Sequence, residues 1–180
     1  EIFGDFGCAD ADALYRAINR VNRGYIRTEA DEVQYNLHVM LRFDLERALM
    51  SGDLAVADLE AAWNDRFAAD FGYEVDKPSN GVLQDVHWSV GLFGYFPTYA
   101  LGNLYAGCLH EALRKDVPDL DVQLRDGNTS VATGWLREKL QQHGGLRSPQ
   151  KTIALASGMV PGPEPMLNYL ENKFSEIYDL

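Results

Sequence analysis

The spacing of hydrophobic residues predicts α-helices along almost the whole of this 180-residue chain. The longest pattern runs from Thr28 to Met50, where apolar residues recur every three or four positions, as on one face of a helix. We expect Thr28 to cap the start of this helix, together with Asp31 three residues later. We expect Ser51 and Gly52 to end the helix with a residue in the left-handed backbone conformation.

The same period predicts six further helices, and no alternating pattern typical of a β-strand lasts beyond a few residues. These helices cover residues 54–71, 97 to about 115, 10–21, 129–142, 149–157 and 164–177. We therefore predict an all-α fold, a single compact bundle of about seven or eight helices. The chain has the length of one domain, so the prediction is a single helical domain over residues 1–180.

Composition narrows the class of protein. The net charge is -11, and the 16 basic residues are scattered among 27 acidic ones, which argues against a nucleic-acid partner. No apolar run approaches the roughly 18 residues of a membrane span, so we expect no membrane partner. The two cysteines, Cys8 and Cys108, are too few for a disulfide scaffold and indicate a reducing, cytoplasmic location.

The motifs of common catalytic sites are missing from the sequence. No H-E-x-x-H zinc motif, no G-x-S-x-G nucleophile elbow and no phosphate-binding loop occurs in it. We therefore predict no metal site within this chain. Of the four histidines, His110 and His143 have charged helical neighbours and are expected at the surface, whereas His38 and His87 lie in polar clusters.

The first polar cluster begins at Arg27 and continues along the predicted helix. Polar residues follow there at spacings of three or four, beside the apolar stripe: Asp31, Gln34, His38, Arg42 and Glu46. A guanidinium at a helix entrance can bind a carboxylate through two hydrogen bonds, either on Asp31 or on a ligand. The spacing favours the internal ion pair with Asp31.

The second polar cluster lies in residues 81–107, which are rich in glycine and aromatic residues. Its members are Gln84, Asp85, His87 and Trp88, followed by Tyr95 and Tyr99 one helical turn apart. A histidine beside tyrosine hydroxyls can stabilise a tetrahedral oxyanion. The same residues can equally form a buried polar network that ties helices together. The residues alone leave both interpretations open.

Three blocks of this chain resemble the signatures of a known family. They are "IRTEAD" at 26–31, "GVLQDVHW" at 81–88 and "GYFPTYALGNLYA" at 94–106. The first two match the patterns I/V-R-x-x-A-D and G-x-x-Q-D-x-H-W of the carboxypeptidase Taq family of zinc-dependent thermostable carboxypeptidases. The resemblance extends from about Asp10 to the end of the chain.

The resemblance implies a metallopeptidase that removes single residues from peptide C-termini, with an all-helical fold and commonly a homodimer. Zinc-bound water would be its nucleophile. By this resemblance Arg27 would bind the terminal carboxylate of the substrate or shape its pocket, and Gln84 and Asp85 would support it. His87, with Tyr95 or Tyr99, would donate hydrogen bonds to the oxyanion.

This chain departs from the family pattern in one respect. The family's H-E-x-x-H and H-E-S/G-Q blocks, which carry the zinc ligands, precede the region that this chain resembles, and neither occurs here. We therefore expect the C-terminal portion of a protein well over twice as long, inactive without its N-terminal metal-binding half. The parent family uses zinc, whereas we expect no cofactor in this chain.

Two alternatives remain beside this interpretation. One is a stand-alone, non-catalytic module that binds peptide C-termini or another helical protein. The other is an independent metal site assembled from His38, His87 and acidic residues.

A missing half would leave apolar residues uncovered. We expect Trp88, Phe93, Phe96 and the face around Gly102 to be exposed, and hence a homo-oligomer or a protein prone to aggregation.

Overall fold

The computed structural model describes residue 7 and residues 10–180. Within these residues the chain forms eight α-helices, five short 3-10 turns and no β-strand, which confirms the predicted all-α class. The helices are α1 (Ala11–Ile18), α2 (Glu32–Ser51), α3 (Leu59–Phe71), α4 (Phe96–Asp116), α5 (Leu120–Arg125), α6 (Ser130–Lys139), α7 (Pro149–Ser157) and α8 (Glu164–Tyr178). The chain divides into two compact units, Glu1–Ala100 and Leu101–Leu180. The single domain stays a prediction.

The start of α2 differs from the prediction. Thr28 lies in a separate 3-10 turn, Arg27–Glu29, and Asp31 is the cap of the helix. The Asp31 carboxylate accepts hydrogen bonds from the backbone N–H groups of Val33 at 3.0 Å and Gln34 at 2.9 Å. One carboxylate thereby satisfies two of the free N–H groups of the first turn, which a single threonine hydroxyl does less well. The predicted Thr28 cap is therefore wrong, while the left-handed ending at Gly52 is confirmed.

The core of the first unit lies between α2 and α3. Leu41 and Leu45 of α2 pack with Trp63 and Phe67 of α3, and all four are buried. The ring of Phe67 also stacks on that of Phe71, with centroids 4.4 Å apart. This packing fixes the rotation of α2, and the adjoining polar stripe of α2 is buried as well.

The second unit has its own core, around a helix that the hydrophobic spacing did not predict. Leu120, at the start of the short α5, packs with Ala112, Leu113 and Trp135. The indole N–H of Trp135 donates to the carboxylate of Asp116 at 2.8 Å. Six residues are too few for a periodic pattern to mark α5 in the sequence.

The two cysteines differ in what the structure says of them. Cys108 is a free thiol, fully buried, 3.8 Å from the carbonyl oxygen of Gly162. Cys8 lies outside the described residues. No helix in the described part of the chain has both the length and the apolar character that crossing a membrane requires.

Gly107 of α4 lies close to the backbone of α8. A Cβ atom at position 107 would lie 2.7 Å from the backbone nitrogen of Met166, whereas a Cβ at Gly102 would meet nothing within 4 Å. Gly107→Ala should therefore lower the free energy of unfolding by about 1–3 kcal/mol, because the two backbones must separate. Gly102→Ala, in the same helix, should raise it by about 0.5–1 kcal/mol. Urea unfolding of both variants tests this, and equal effects would contradict the close approach.

Candidate functional site

The segment from Gly81 to Tyr95 covers the polar stripe of α2. His38 and Arg42 have no exposed surface, and Glu46 is 5% exposed. The sequence placed these residues beside the apolar stripe and did not indicate that they would be buried.

Asp85 is the centre of the site because two arginines share its carboxylate. Oδ1 accepts hydrogen bonds from Arg27 Nη2 at 2.8 Å and Nε at 3.3 Å, and Oδ2 accepts one from Arg42 Nε at 2.6 Å. Arg27 is only 5% exposed. The predicted ion pair of Arg27 with Asp31 is wrong, because the Asp31 carboxylate caps α2. The true partner lies 58 residues further along the chain.

Arg27, Arg42 and Asp85 stabilise one another's charged forms. Burial lowers the pKa of Arg42 to about 10, although the charge of Asp85 opposes this shift. Burial is also the largest single effect on the pKa of Arg27 and lowers it, but the hydrogen bonds and charges of Asp85 and Tyr35 together outweigh burial, so the net pKa is raised. For Asp85, burial raises the pKa, while the bonds from Arg27 and the charge of Arg42 leave it below its usual value. Arg27, Arg42 and Asp85 are all charged at neutral pH, so this trio carries one net positive charge.

Gln84 ties two loops together around Arg27. Its Oε1 accepts the backbone N–H of Arg27 at 2.9 Å, and its Nε2 donates to the carbonyl oxygens of Tyr25 at 3.0 Å and Asn80 at 2.9 Å. The amide group thus uses both its acceptor and its donors on backbone groups. Gln84 therefore holds the backbone of Arg27, and the substrate-binding role that the family resemblance implies for it stays a prediction.

His87 and Tyr99 form a hydrogen-bonded pair in front of Asp85. His87 Nε2 lies 3.0 Å from the Tyr99 hydroxyl, and Nδ1 lies 3.7 Å from Asp85 Oδ1. A proton on Nδ1 would face the carboxylate and leave Nε2 to accept from Tyr99. The Arg27 guanidinium lies over the Tyr99 ring, 4.8 Å from its centroid. The positive trio is therefore in direct contact with this pair.

Tyr95 and Phe96 continue the aromatic surface of the site. The Tyr95 ring lies 5.7 Å from the His87 ring and 5.5 Å from the Tyr99 ring, centroid to centroid, and Tyr95 is 45% exposed. Phe96 is 1% exposed and packs 4.4 Å from the His87 ring, so the prediction that it is exposed is wrong. Phe93 is exposed as predicted, and Trp88 is half-buried.

Arg42 and Glu46 belong to the site although the sequence did not assign them a role. Arg42 binds Asp85, and Glu46 accepts hydrogen bonds from the indole of Trp88 and the backbone of Gly94. The two lie four and eight residues after His38 on one face of α2. Three polar residues at this spacing, beside two buried leucines, are the signal that could have indicated a buried polar stripe.

His38 is a buried histidine whose ring nitrogens have no hydrogen-bond partner among the described residues. Burial, reinforced by the charges of Arg42 and Arg27, lowers its pKa to about 4. The unfolded chain takes up this proton below pH 6.5, and the folded chain only near pH 4. Stability should therefore fall by about 3 kcal/mol between pH 6.5 and 4.

The comparison of His38→Leu with the unchanged chain isolates this contribution. Urea unfolding at several pH values in this window should show the fall in the unchanged chain and in the control His143→Gln, and a smaller fall in His38→Leu. Asp85 does not affect this comparison. Its pKa is lowered in the folded chain, so its contribution to the free energy of unfolding is lost only at more acidic pH. An equal fall in all three proteins would contradict the assignment.

The zinc that the family resemblance implies does not fit the residues described here. Among residue 7 and residues 10–180, no group of three or more His, Cys, Asp or Glu side chains is placed to hold a metal ion. His38 and His87, the candidates for an independent metal site, join no such group. The arrangement around Asp85 instead supplies hydrogen-bond donors and positive charge, which suit an anionic group.

Comparison with known proteins shows which family the chain belongs to. The carboxypeptidase Taq (M32) metallopeptidase family model matches residues 1–174, and the chain belongs to this family. Carboxypeptidase 1 of Bacillus subtilis is 39% identical over 167 residues, which are 93% of this chain and 33% of that protein. Thermostable carboxypeptidase 1 of Thermus thermophilus is 37% identical over 178 residues, 99% of this chain and 35% of that protein.

Solved structures of the family have the same fold as this chain. The M32 carboxypeptidase from Deinococcus radiodurans superposes with a TM-score of 0.90 at 39% identity, covering 94% of this chain and 34% of that one. Trypanosoma cruzi metallocarboxypeptidase 1 gives a TM-score of 0.90 at 37% identity, covering 95% of this chain and 36% of that one. The chain therefore spans about a third of the length of the relatives that it matches.

Proposed function

We propose that this chain supplies the substrate-recognition and oxyanion-stabilising part of a metallocarboxypeptidase that releases single residues from peptide C-termini. The observation that carries the proposal is the hydrogen-bonded pair of His87 and Tyr99, backed by two arginines that share one carboxylate. Membership of the carboxypeptidase Taq family supports the class of reaction.

Recognition of a terminal carboxylate follows from the charge of the trio. Two guanidinium groups and one carboxylate leave a net positive charge in a poorly solvated place, where an anion is attracted more strongly than in water. Three of the five N–H groups of Arg27 are already bonded to Asp85 and Tyr35. We infer that Arg27 shapes the carboxylate pocket through its charge, with Gln84 and Asp85 holding it in place.

Stabilisation of an oxyanion follows from the donors beside that charge. With the His87 proton on Nδ1, the Tyr99 hydroxyl would donate to Nε2, and a tetrahedral intermediate would take over that donor; a His87 ring protonated on both nitrogens would supply a second donor. We infer that Tyr99 is the donating tyrosine, because its hydroxyl contacts His87 and its ring lies against Arg27. Tyr95, which is half-exposed, is better placed to contact a substrate side chain with its ring.

The zinc ligands of such an enzyme would come from residues outside this chain. The described residues offer no group of ligands for the metal, and the chain covers about a third of its relatives. We therefore propose that the 180 residues alone are inactive and work together with a metal-binding half. A homo-oligomer and a cytoplasmic location remain predictions, of which light scattering and cell fractionation are the tests.

A chimera tests the proposal. In it, this chain replaces the matching third of Bacillus subtilis carboxypeptidase 1, and the rest of that protein is unchanged. The chimera should release single residues from peptides with a free C-terminus and none from the same peptides with an amidated C-terminus. Metal content and circular dichroism establish that the chimera is folded and loaded. A folded, metal-loaded chimera without activity would contradict the proposal.

Peptide binding by the isolated chain separates the catalytic proposal from the non-catalytic alternative. A stand-alone binding module would bind free C-termini with these 180 residues alone, and Arg27→Ala would reduce this binding to the level of the amidated peptide. Titration of the isolated chain with a peptide in both forms measures the difference. Binding without activity in the chimera would favour the non-catalytic module.

A further inference from the structure

Glu46 makes contacts that none of the functions above accounts for. It is a buried carboxylate on α2, and both of its oxygens accept short hydrogen bonds from the segment that covers the helix. Oε2 accepts the indole N–H of Trp88 at 2.7 Å, and Oε1 accepts the backbone N–H of Gly94 at 2.6 Å. A buried carboxylate is costly unless its lone pairs are used, so these two bonds have to be strong ones.

The two partners of Glu46 are the chain neighbours of two site residues. Trp88 directly follows His87, and Gly94 directly precedes Tyr95. Between them the backbone closes on itself, because the N–H of Leu92 donates to the carbonyl oxygen of His87 at 2.8 Å. Glu46 therefore holds both ends of the turn that carries the imidazole.

The ring of Trp88 is further fixed by its neighbours. It packs edge-on against Trp63, with centroids 6.3 Å apart, and against Phe96 at 5.7 Å. Phe96 in turn packs on His87. The bond from Trp88 to Glu46 thus orients an indole that supports the same imidazole from a second side.

From these contacts we propose that Glu46 is a positioning residue, which holds His87 at hydrogen-bond distance from Tyr99. The proposal rests on the proposed function for the use of that pair in catalysis, but its geometric part can be measured without any activity. The role requires a carboxylate. A glutamine in its place would offer one acceptor and turn an amide donor towards a second N–H, so one of the two bonds would be replaced by a repulsive donor–donor contact.

The first experiment reads the state of His87 directly. Long-range ¹H–¹⁵N spectra of the 180-residue chain report which ring nitrogen carries the proton and whether the ring is ordered. In the unchanged protein we expect one tautomer, and in Glu46→Gln an average of the two. The control is Glu60→Gln, at an exposed position in the first turn of α3. Unchanged His87 signals in Glu46→Gln would overturn the proposal.

A second variant separates positioning from simple loss of stability. In Glu46→Gln/Trp88→Phe the indole donor is removed, so the glutamine can keep its bond to Gly94 without facing a second donor. The double variant should return the His87 signals towards those of the unchanged protein. If the His87 signals of the double variant differed more from those of the unchanged protein than the signals of Glu46→Gln do, the proposal would be overturned. Unfolding of Glu46→Gln alone would also overturn it, since Glu46 would then act on the whole fold.

Kinetics in the chimera connect the position of His87 to the reaction. We expect Glu46→Gln to lower kcat about a hundredfold with little change in KM, because a misplaced donor acts on the transition state. The double variant should recover part of this loss. If His87→Ala leaves kcat unchanged while the spectra still respond to Glu46→Gln, the proposed function fails and the positioning role stands. A large kcat loss for His87→Ala with none for Glu46→Gln overturns the positioning role.

Discussion

Replacing Asp85 with asparagine should lower the free energy of unfolding by about 3–5 kcal/mol, the usual cost of breaking a buried ion pair. The reason is that Arg27 and Arg42 depend on the same carboxylate and are almost without exposed surface. An asparagine keeps the shape but loses the charge, and it leaves two guanidinium groups buried with one acceptor between them. Urea unfolding at neutral pH measures the loss.

The matched control lies on the surface of the second unit. Asp121 also binds an arginine with two hydrogen bonds, from Arg114 at 2.9 Å each, but about half of each side chain is exposed. Asp121→Asn should therefore cost no more than about 1 kcal/mol. Equal losses for the two variants would show that burial does not decide the strength of the Asp85 pairs.

Replacing Tyr99 with phenylalanine should lower kcat of the chimera by roughly 10²–10³-fold, the usual cost of removing one oxyanion donor. The hydroxyl would be lost while the ring, and with it the stacking of Arg27, would stay. Because the role proposed for this donor is in the transition state, KM should change little. Steady-state kinetics on a peptide with a free C-terminus measure both constants.

Tyr95→Phe is the control for this prediction. The side chain has the same chemistry and lies one helical turn away, but no hydrogen bond joins its hydroxyl to His87 among the described contacts. We expect kcat within about threefold of the unchanged chimera, since only the hydroxyl of a half-exposed side chain is removed. A large loss for Tyr95→Phe and none for Tyr99→Phe would reverse the roles proposed for the two tyrosines.

Hydrophobic spacing was sufficient to predict most of the fold. Helix α7 begins and ends at the predicted residues, Pro149 and Ser157, and α8 extends one residue beyond its predicted end. The cap of the long α2 lies three residues later than predicted, at Asp31 instead of Thr28, because the chain first makes a 3-10 turn. Local periodicity finds long helices and misses a helix as short as α5.

The site could be predicted only in part, because its main contacts join residues far apart in sequence. Spacing paired Arg27 with its neighbour Asp31, whereas Asp85 lies 58 residues away, and the contact of Arg42 with Asp85 spans 43 residues. No periodic pattern reports such contacts. The six predicted site residues lie together in one unit because the two family blocks that contain most of them pack against each other there.

Because Asp85 is shared by two arginines, the electrostatic potential near the site is positive, although the potential far from the chain is negative. As a whole it carries a net charge of -11, so its far field repels anionic peptides, whereas the trio presents a positive group at close range. Salt at physiological strength screens the far field beyond about 8 Å but affects buried charges such as those of Arg27 and Arg42 much less. Added salt should therefore speed the encounter of these 180 residues with acidic peptides while leaving the proposed recognition of a terminal carboxylate largely intact.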